Sequence, residues 1–255
     1  MFDMQGKKGL VVGIANENSI AWGCTKVFHE SGADLLITYL NEKARPYVEP
    51  LSVAVSADMF MPLDVTQPDQ LEAVFKAIAS NWKQLDFVLH SIAFAPIADL
   101  HGRVVDSSEE GFLLAMNISC HSFIRMARHA EALMSNGGSL LTMSYYGSEK
   151  VVPNYGIMGP VKATLEASVR YMAVELGEKN IRVNAISPGP VATRAASGIA
   201  EFNKLLETSR EKAPLRSATK LGDIGNLAAF LASDASGGIT GGVHYVDSGY
   251  NLLGY

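Results

Sequence analysis

The chain has 255 residues, of which 48% are hydrophobic and 18% charged, which suits a single α/β domain with a large core. A net charge of -5 and a pI near 5.7 argue against a nucleic-acid partner, and no apolar run is long enough to span a membrane. Two cysteines cannot form a disulfide framework and the amino-terminal segment is too polar for a secretory signal, so we expect a cytoplasmic protein.

Strands and helices alternate along the chain. The predicted strands cover residues 9–13, 34–39, 60–65, 87–91, 138–143, 181–186 and 243–247. The predicted helices cover residues 20–30, 67–82, 109–134, 154–177 and 223–233, the last capped by Asp223. Several strands are apolar throughout, as in sheets buried on both faces. We therefore predict one domain over residues 1–255, with a Rossmann-like doubly wound α/β fold whose single seven-stranded parallel sheet has helices on both faces.

The loop after the first strand is a candidate phosphate site, because ligands of such sheets bind beyond the carboxyl ends of the strands. The usual three-glycine fingerprint is absent. Gly13 permits a tight turn, and Ser19 at a helix start could place a hydroxyl and backbone donors on a pyrophosphate. A purely structural glycine turn with a serine cap is the alternative.

The ends of the second and third strands bear on the adenosine half of a dinucleotide. An acidic residue there usually binds a ribose hydroxyl, and a basic one accepts a 2′-phosphate. Neither type occupies Leu40 or Asn41, and Lys43 and Arg45 come later, so we expect NADH rather than NADPH. Asp64 could hydrogen-bond the adenine amino group or serve only as a turn aspartate.

Tyr155 and Lys162 are the candidate catalytic pair. Seven residues apart, they would share one face of the predicted helix. The ammonium would favour phenolate character and could anchor a hydroxyl-rich cofactor, although a structural pair on a half-exposed helix is the alternative. Pro160 lies between them. It would bend a helix that starts near Tyr155, but would cost little in one that starts two or three residues later.

With these residues assembled, the chain resembles the short-chain dehydrogenase/reductase superfamily. Ordinary members place this tyrosine and lysine four apart, whereas the spacing here is similar to that of a divergent branch, the bacterial enoyl-acyl-carrier-protein reductases. The similarity runs nearly end to end. It includes Gly13, Ser19, Ile20 and the segments 90–96, 144–145, 153–155, 158–159, 182–187 and 195–199.

The resemblance implies an enzyme that reduces the trans-2 double bond of an enoyl thioester on acyl carrier protein with hydride from NADH, the final step of fatty-acid elongation. Tyr155 would hydrogen-bond the thioester carbonyl and stabilise the enolate. Lys162 would hold the nicotinamide ribose hydroxyls, and Tyr145 would line the acyl pocket and assist protonation. A homotetramer is also implied, with contacts from residues 165–172 and 250–255.

The remaining site positions fall into two sets. The resemblance assigns to the cofactor Gly13, Ser19, Ile20, Leu40, Asp64, Val65, Ile92, Lys162, Val191, Ala192, Thr193, Arg194 and Ala195. It assigns Ala95 to the substrate, and an acyl tail needs apolar walls, for which the candidates beside Tyr145 are Phe94, Met158, Ile199 and Phe202. We expect no metal site.

The segment 193–213 is interpreted as a lid over the acyl chain, with Leu206 among its covering residues; an ordinary amphipathic surface helix is the alternative. Basic residues near it could receive the acidic carrier protein: Lys204, Arg210, Lys212 and Arg216. Two other functions stay open. Asn117 favours carbonyl–alcohol oxidoreduction, since it resembles the asparagine of a proton relay. Leu40 and Pro160 would suit a nucleotide-binding regulator without turnover.

Overall fold

The computed structural model describes residues 2–193 and 201–253, which form one seven-stranded parallel sheet flanked by helices. The strands are β1 (Lys8–Val12), β2 (Asp34–Tyr39), β3 (Met59–Pro62), β4 (Phe87–His90), β5 (Gly138–Met143), β6 (Ile181–Pro188) and β7 (Val243–Val246). The helices are α1 (Ile20–Glu30), α2 (Arg45–Ala54), α3 (Pro68–Asn81), α4 (Ile97–His101), α5 (Glu109–Met116), α6 (Ser122–Glu131), α7 (Met158–Gly177), α8 (Phe202–Lys212) and α9 (Leu221–Ala232).

The sheet order is β3-β2-β1-β4-β5-β6-β7, which confirms the predicted doubly wound fold. The order reverses between β1 and β4, and a ligand crevice opens at such a switch point beyond the carboxyl ends of the strands. Both faces of the sheet are covered. Side chains of α1 and α9 pack on one face, and those of α3, α6 and α7 on the other. Strand β4 is buried throughout, as its apolar sequence predicts.

Helix α7 begins later than the sequence predicted. Asn154 (φ 63°) and Gly156 (φ 51°) adopt left-handed conformations, so a helix cannot run through them and α7 starts at Met158. Tyr155 therefore lies in the preceding loop and does not share a helix face with Lys162, contrary to the prediction. Pro160 is the third residue of α7, where its missing N–H would have had no helical partner, so it does not bend the helix.

Three other helix predictions need correction. The predicted helix over residues 109–134 is α5 and α6 joined by a π-helical turn, Asn117–His121. Helix α9 begins at Leu221 with Lys220 as its N-cap, and Asp223 lies within the first turn, where its charge faces the positive end of the helix dipole. Helix α2 was not predicted; it has Pro46 in its first turn, where proline is tolerated, and Pro50 inside it.

The apolar stretch 165–172 has a buried and an exposed face. Leu165, Val169 and Met172 are buried in a core cluster beneath the sheet. On the outer face of α7, Tyr171 of this stretch and Val174 just after it are 74% and 81% exposed. No helix within the two described ranges has the length and apolar character needed to cross a membrane.

Candidate active site

One cavity of about 340 Å³ opens at the carboxyl ends of β1, β4, β5 and β6. Its size falls in the range of small-molecule sites. The structure brings many predicted site residues to its walls: Gly13, Ser19, Ile20, Ile92, Phe94, Ala95, Tyr145, Tyr155, Met158, Lys162, Val191, Thr193 and Phe202. Residues from six separate stretches of the chain thus meet at the switch point.

The two tyrosines and the lysine all line this cavity. The rings of Tyr145 and Tyr155 meet edge to face, with centroids 4.9 Å apart and planes inclined by 61°. Lys162 is only 4% exposed, and its Nζ donates a hydrogen bond to the Met143 carbonyl at 2.5 Å. An ammonium has three donors, so two remain for a ligand in the cavity.

The loop that carries Tyr155 is fixed by a close approach to α4. A Cβ on Gly156 would lie 2.4 Å from the Leu100 carbonyl oxygen, so only glycine fits there. This contact brings α4 against the active site, and Ile97 and Leu100 join the cavity wall. Neither was predicted, since a five-residue helix gives no usable periodic signal.

The protonation of these groups differs from the expectation of phenolate character. Burial raises the pKa of Tyr155 far above its ordinary value, and the negative charge of Glu166 raises it further. Burial also raises the pKa of Tyr145. Both phenols therefore keep their protons at neutral pH. Burial lowers the pKa of Lys162 to about 8, opposed by the charge of Glu166 and by Cys120.

The cavity also reaches the amino terminus of α1. Gly13 has a φ of 111°, and a Cβ there would lie 2.1 Å from the Ser91 carbonyl oxygen, so glycine lets β1 turn tightly past β4. The Ser19 hydroxyl accepts hydrogen bonds from the amides of Ala15 (2.9 Å) and Asn16 (3.0 Å). It therefore holds the loop, and the free amides of the first helical turn are the donors that fit a pyrophosphate.

Three predicted cofactor residues lie outside the cavity wall, at the ends of β2 and β3. Leu40 is 53% exposed. Asp64 Oδ1 accepts hydrogen bonds from the Thr66 amide (2.9 Å) and hydroxyl (2.7 Å), which is the geometry of the turn aspartate that the sequence left as an alternative. The Val65 side chain is buried in the core, and its carbonyl accepts a hydrogen bond from Arg125 at 2.8 Å. All three lie on the same edge of the sheet as the cavity.

The predicted lid is described only in part. Arg194, Ala195 and Ile199 lie outside the described residues. Residues 202–212 form the helix α8, with Phe202 against the main cavity. Ala192 and Leu206 line an adjacent cavity of about 410 Å³ instead.

Glu166 was missed by the sequence analysis. It is buried, one turn after Lys162 on α7, and its Oε1 accepts hydrogen bonds from the hydroxyls of Ser144 and Ser148, the second at 2.7 Å. The four-residue spacing from Lys162 was a signal in the sequence, because residues i and i+4 share a helix face.

Asn117 does not reach the cavity. It lies in the π-helical turn, and its Oδ1 accepts a hydrogen bond from Arg125 at 3.2 Å. This contact gives the proton-relay hypothesis no support. Among the histidines, His90 is buried between Thr142 (2.9 Å) and Ser122 (2.7 Å), and burial lowers its pKa to about 3. It is therefore a neutral packing residue.

Comparison with known proteins identifies the relatives of this chain. The sequence profile of a family described as enoyl-(acyl carrier protein) reductase matches residues 13–251. The enoyl-(acyl-carrier-protein) reductase (NADH) FabI of Rickettsia felis is 47% identical over 251 residues, 98% of this chain and 96% of that protein. A crystal structure of the Anaplasma phagocytophilum reductase in complex with NAD is 48% identical, with a TM-score of 0.95 over 99% of this chain and 96% of that one. The Bacillus cereus reductase, solved with NADP+ and an indole naphthyridinone, is 45% identical, with a TM-score of 0.97 over the full length of both chains.

Proposed function

This chain belongs to the enoyl-(acyl carrier protein) reductase family, and we propose how its own residues carry out that reaction. It is an NADH-dependent enoyl-acyl-carrier-protein reductase, which acts in the final step of fatty-acid elongation. The observation that carries the residue assignments is that Tyr145, Tyr155 and Lys162 line one cavity together with Gly13 and Ser19, which precede α1.

Tyr155 is the proposed electrophilic catalyst. Bound NADH supplies a hydride to the β-carbon of the enoyl thioester, and negative charge then develops on the thioester oxygen. Because the raised pKa keeps the Tyr155 phenol protonated, it can donate a hydrogen bond to that oxygen and stabilise the enolate as it forms.

Lys162 and Tyr145 complete the set. The Lys162 ammonium, held by the Met143 carbonyl, has donors left for the nicotinamide ribose hydroxyls. Tyr145 packs its ring on Tyr155, and its buried hydroxyl, which has no hydrogen-bond partner among the described residues, is the proposed donor to the acyl thioester for binding and for protonation of the enolate.

The adenosine end favours NADH over NADPH. Leu40 offers no charge, and the Arg45 guanidinium is bonded to Glu49 at 3.1 Å and lies 3.7 Å from Glu42. A 2′-phosphate would therefore meet no uncommitted arginine here. A rate comparison of the two cofactors over a range of concentrations tests this preference.

The acyl tail and its carrier would bind beside α8. Phe94, Met158 and Phe202 supply apolar wall, and ordering of the segment 193–213 over them would exclude water from the reaction. The basic residues proposed to receive the acidic carrier protein are Lys204, Arg210, Lys212 and Arg216.

We also propose a homotetramer in the cytoplasm. The exposed apolar side chains Tyr171 and Val174 on α7 support burial of that face against another copy. Cys24 and Cys120 are free and buried, which suits a reducing compartment.

The Tyr155→Phe variant tests the central assignment, because it removes only the donating hydroxyl. We expect NADH oxidation with an enoyl thioester to fall about 10²–10³-fold in kcat, the usual loss for one such donor. Tyr47→Phe is the matched control, since its ring is exposed on α2, and it should keep the wild-type rate. Equal rates for Tyr155→Phe and wild type would defeat the assignment.

A further inference from the structure

A buried carboxylate lies beneath the catalytic residues. Glu166 and Lys162 are each only 4% exposed and lie on successive turns of α7. A buried charge is costly unless other groups compensate it. The hydroxyls of Ser144 and Ser148 both donate to Glu166 Oε1. These two hydrogen bonds compensate the burial of the carboxylate, and Lys162, four residues earlier on the same face of α7, carries the opposite charge.

Glu166 also acts on both catalytic groups through its charge. It opposes the effect of burial on the pKa of Lys162, and it adds to the effect of burial on the pKa of Tyr155. Its two serine partners lie on either side of Tyr145 in the chain. Glu166 Oε1 thus connects α7 to the loop that carries Tyr145.

The other titratable side chains around this pair do not change charge near neutral pH. They come from β4, the π-helical turn, the two active-site loops and β7: His90, Cys120, Tyr145, Tyr155 and Tyr245. Burial lowers the pKa of His90 to about 3 and raises that of Tyr245 to about 12, with help from Glu149. It also raises the pKa of Cys120, Tyr145 and Tyr155 above their ordinary values. Within this group, Lys162 alone titrates near pH 8.

We propose that Glu166 is a positioning residue whose buried carboxylate keeps Lys162 charged for cofactor binding and fixes the loop that carries Tyr145. The inference rests on the proposed role of Lys162 in holding the cofactor. It assigns Glu166 an electrostatic function, beyond that of a packing residue.

The Glu166→Gln variant removes the negative charge of this side chain while nearly keeping its size and shape. Its amide oxygen can still accept from both serines, while the negative charge is lost. Fluorescence titration with NADH between about pH 6 and pH 9.5 measures the pH at which binding weakens. We expect this midpoint to move down by about one pH unit, because an opposite charge has been removed. Affinity would then fall about fivefold near pH 8 and stay within about twofold of wild type near pH 6.5.

Two control variants test whether the shift in the midpoint comes from the Glu166 carboxylate. Glu175→Gln removes an exposed carboxylate from the same helix and should leave the midpoint unchanged. Ser148→Ala removes one hydrogen bond but keeps the charge, so it should lower turnover without moving the midpoint. A stability defect alone would not produce this pattern.

An unchanged midpoint in Glu166→Gln, or wild-type NADH affinity that does not weaken above about pH 8, would overturn the proposal. Should Glu166→Gln fail to fold, Glu166→Asp withdraws the carboxylate by one methylene and should lower the midpoint by a smaller amount; no change there would also overturn it. The NADH titration needs no enoyl substrate, so failure of this proposal is distinguishable from failure of enoyl reduction.

Discussion

At the residue scale, the most telling group is the hydroxyl of Tyr145. It is buried without a hydrogen-bond partner within the described part of the chain, and buried polar groups rarely stay unpaired. Edge-to-face contacts with Tyr155 and Tyr146, at 4.9 and 5.0 Å, hold the ring in place. An oriented donor with no partner among the described residues is suited to bind a ligand, which supports the proposed contact with the enoyl thioester.

Replacing Tyr145 by Phe should therefore separate activity from stability. We expect turnover to fall about tenfold or more, while the free energy of unfolding stays equal or rises by up to about 1 kcal/mol, because an unpaired buried hydroxyl is removed. Tyr39→Phe is the control. Tyr39 is buried and its hydroxyl donates a hydrogen bond to Glu42 Oε1 at 3.3 Å, so removal of that hydroxyl should destabilise the protein by about 1 kcal/mol. Urea denaturation measures the free energy of unfolding of both variants, and a larger decrease in Tyr145→Phe than in the control would contradict this account.

The residue types of the site could be predicted from the sequence, but their chemical state could not. The spacing of Tyr155 and Lys162 marked them as candidates. Burial then sets their pKa values, raising one and lowering the other, and burial depends on residues distant in the chain. Glu166 shows the same limit, since its serine partners lie 18 and 22 residues away.

At the element scale, the loop before α7 decides where Tyr155 lies. Two left-handed residues, Asn154 and Gly156, turn the chain so that the phenol meets Tyr145, and α7 then begins beyond them and carries Lys162. Strands were easier to predict than this loop, because apolar runs mark strands buried on both faces. A left-handed asparagine carries no comparable pattern.

Gly156→Ala tests the importance of that loop. The added Cβ would lie 2.4 Å from the Leu100 carbonyl oxygen, and the residue has a positive φ that alanine adopts poorly. We therefore expect the free energy of unfolding to fall by about 2 kcal/mol or more, and the enoyl reductase kcat to fall as well. Gly177→Ala is the control, and its effect should have the opposite sign. Gly177 is the last residue of α7, and a Cβ there would meet open space, so alanine should raise the free energy of unfolding by about 0.5–1 kcal/mol. Thermal and urea unfolding measure the stability of both variants, and a change of the same sign in the two would contradict this account.

At the scale of the whole molecule, the outer face of α7 is the proposed contact between subunits. Val174→Asp places a charge on that face, and we expect it to lower the mass measured by light scattering from that of a tetramer. Val53→Asp is the control, as an exposed valine on α2, and should keep the wild-type mass. A wild-type mass equal to one chain would contradict the tetramer itself.

The alternation of apolar strands with helices, read from the sequence alone, determined the doubly wound sheet, and the motifs around Tyr145, Tyr155 and Lys162 determined the family. Only the tertiary structure decided that a loop rather than a helix face delivers Tyr155, that α4 joins the cavity wall, and that Glu166 lies buried beside Lys162. The physical reason is that hydrophobic periodicity is local, whereas the close approaches and desolvation that shape a site arise between segments far apart in the chain.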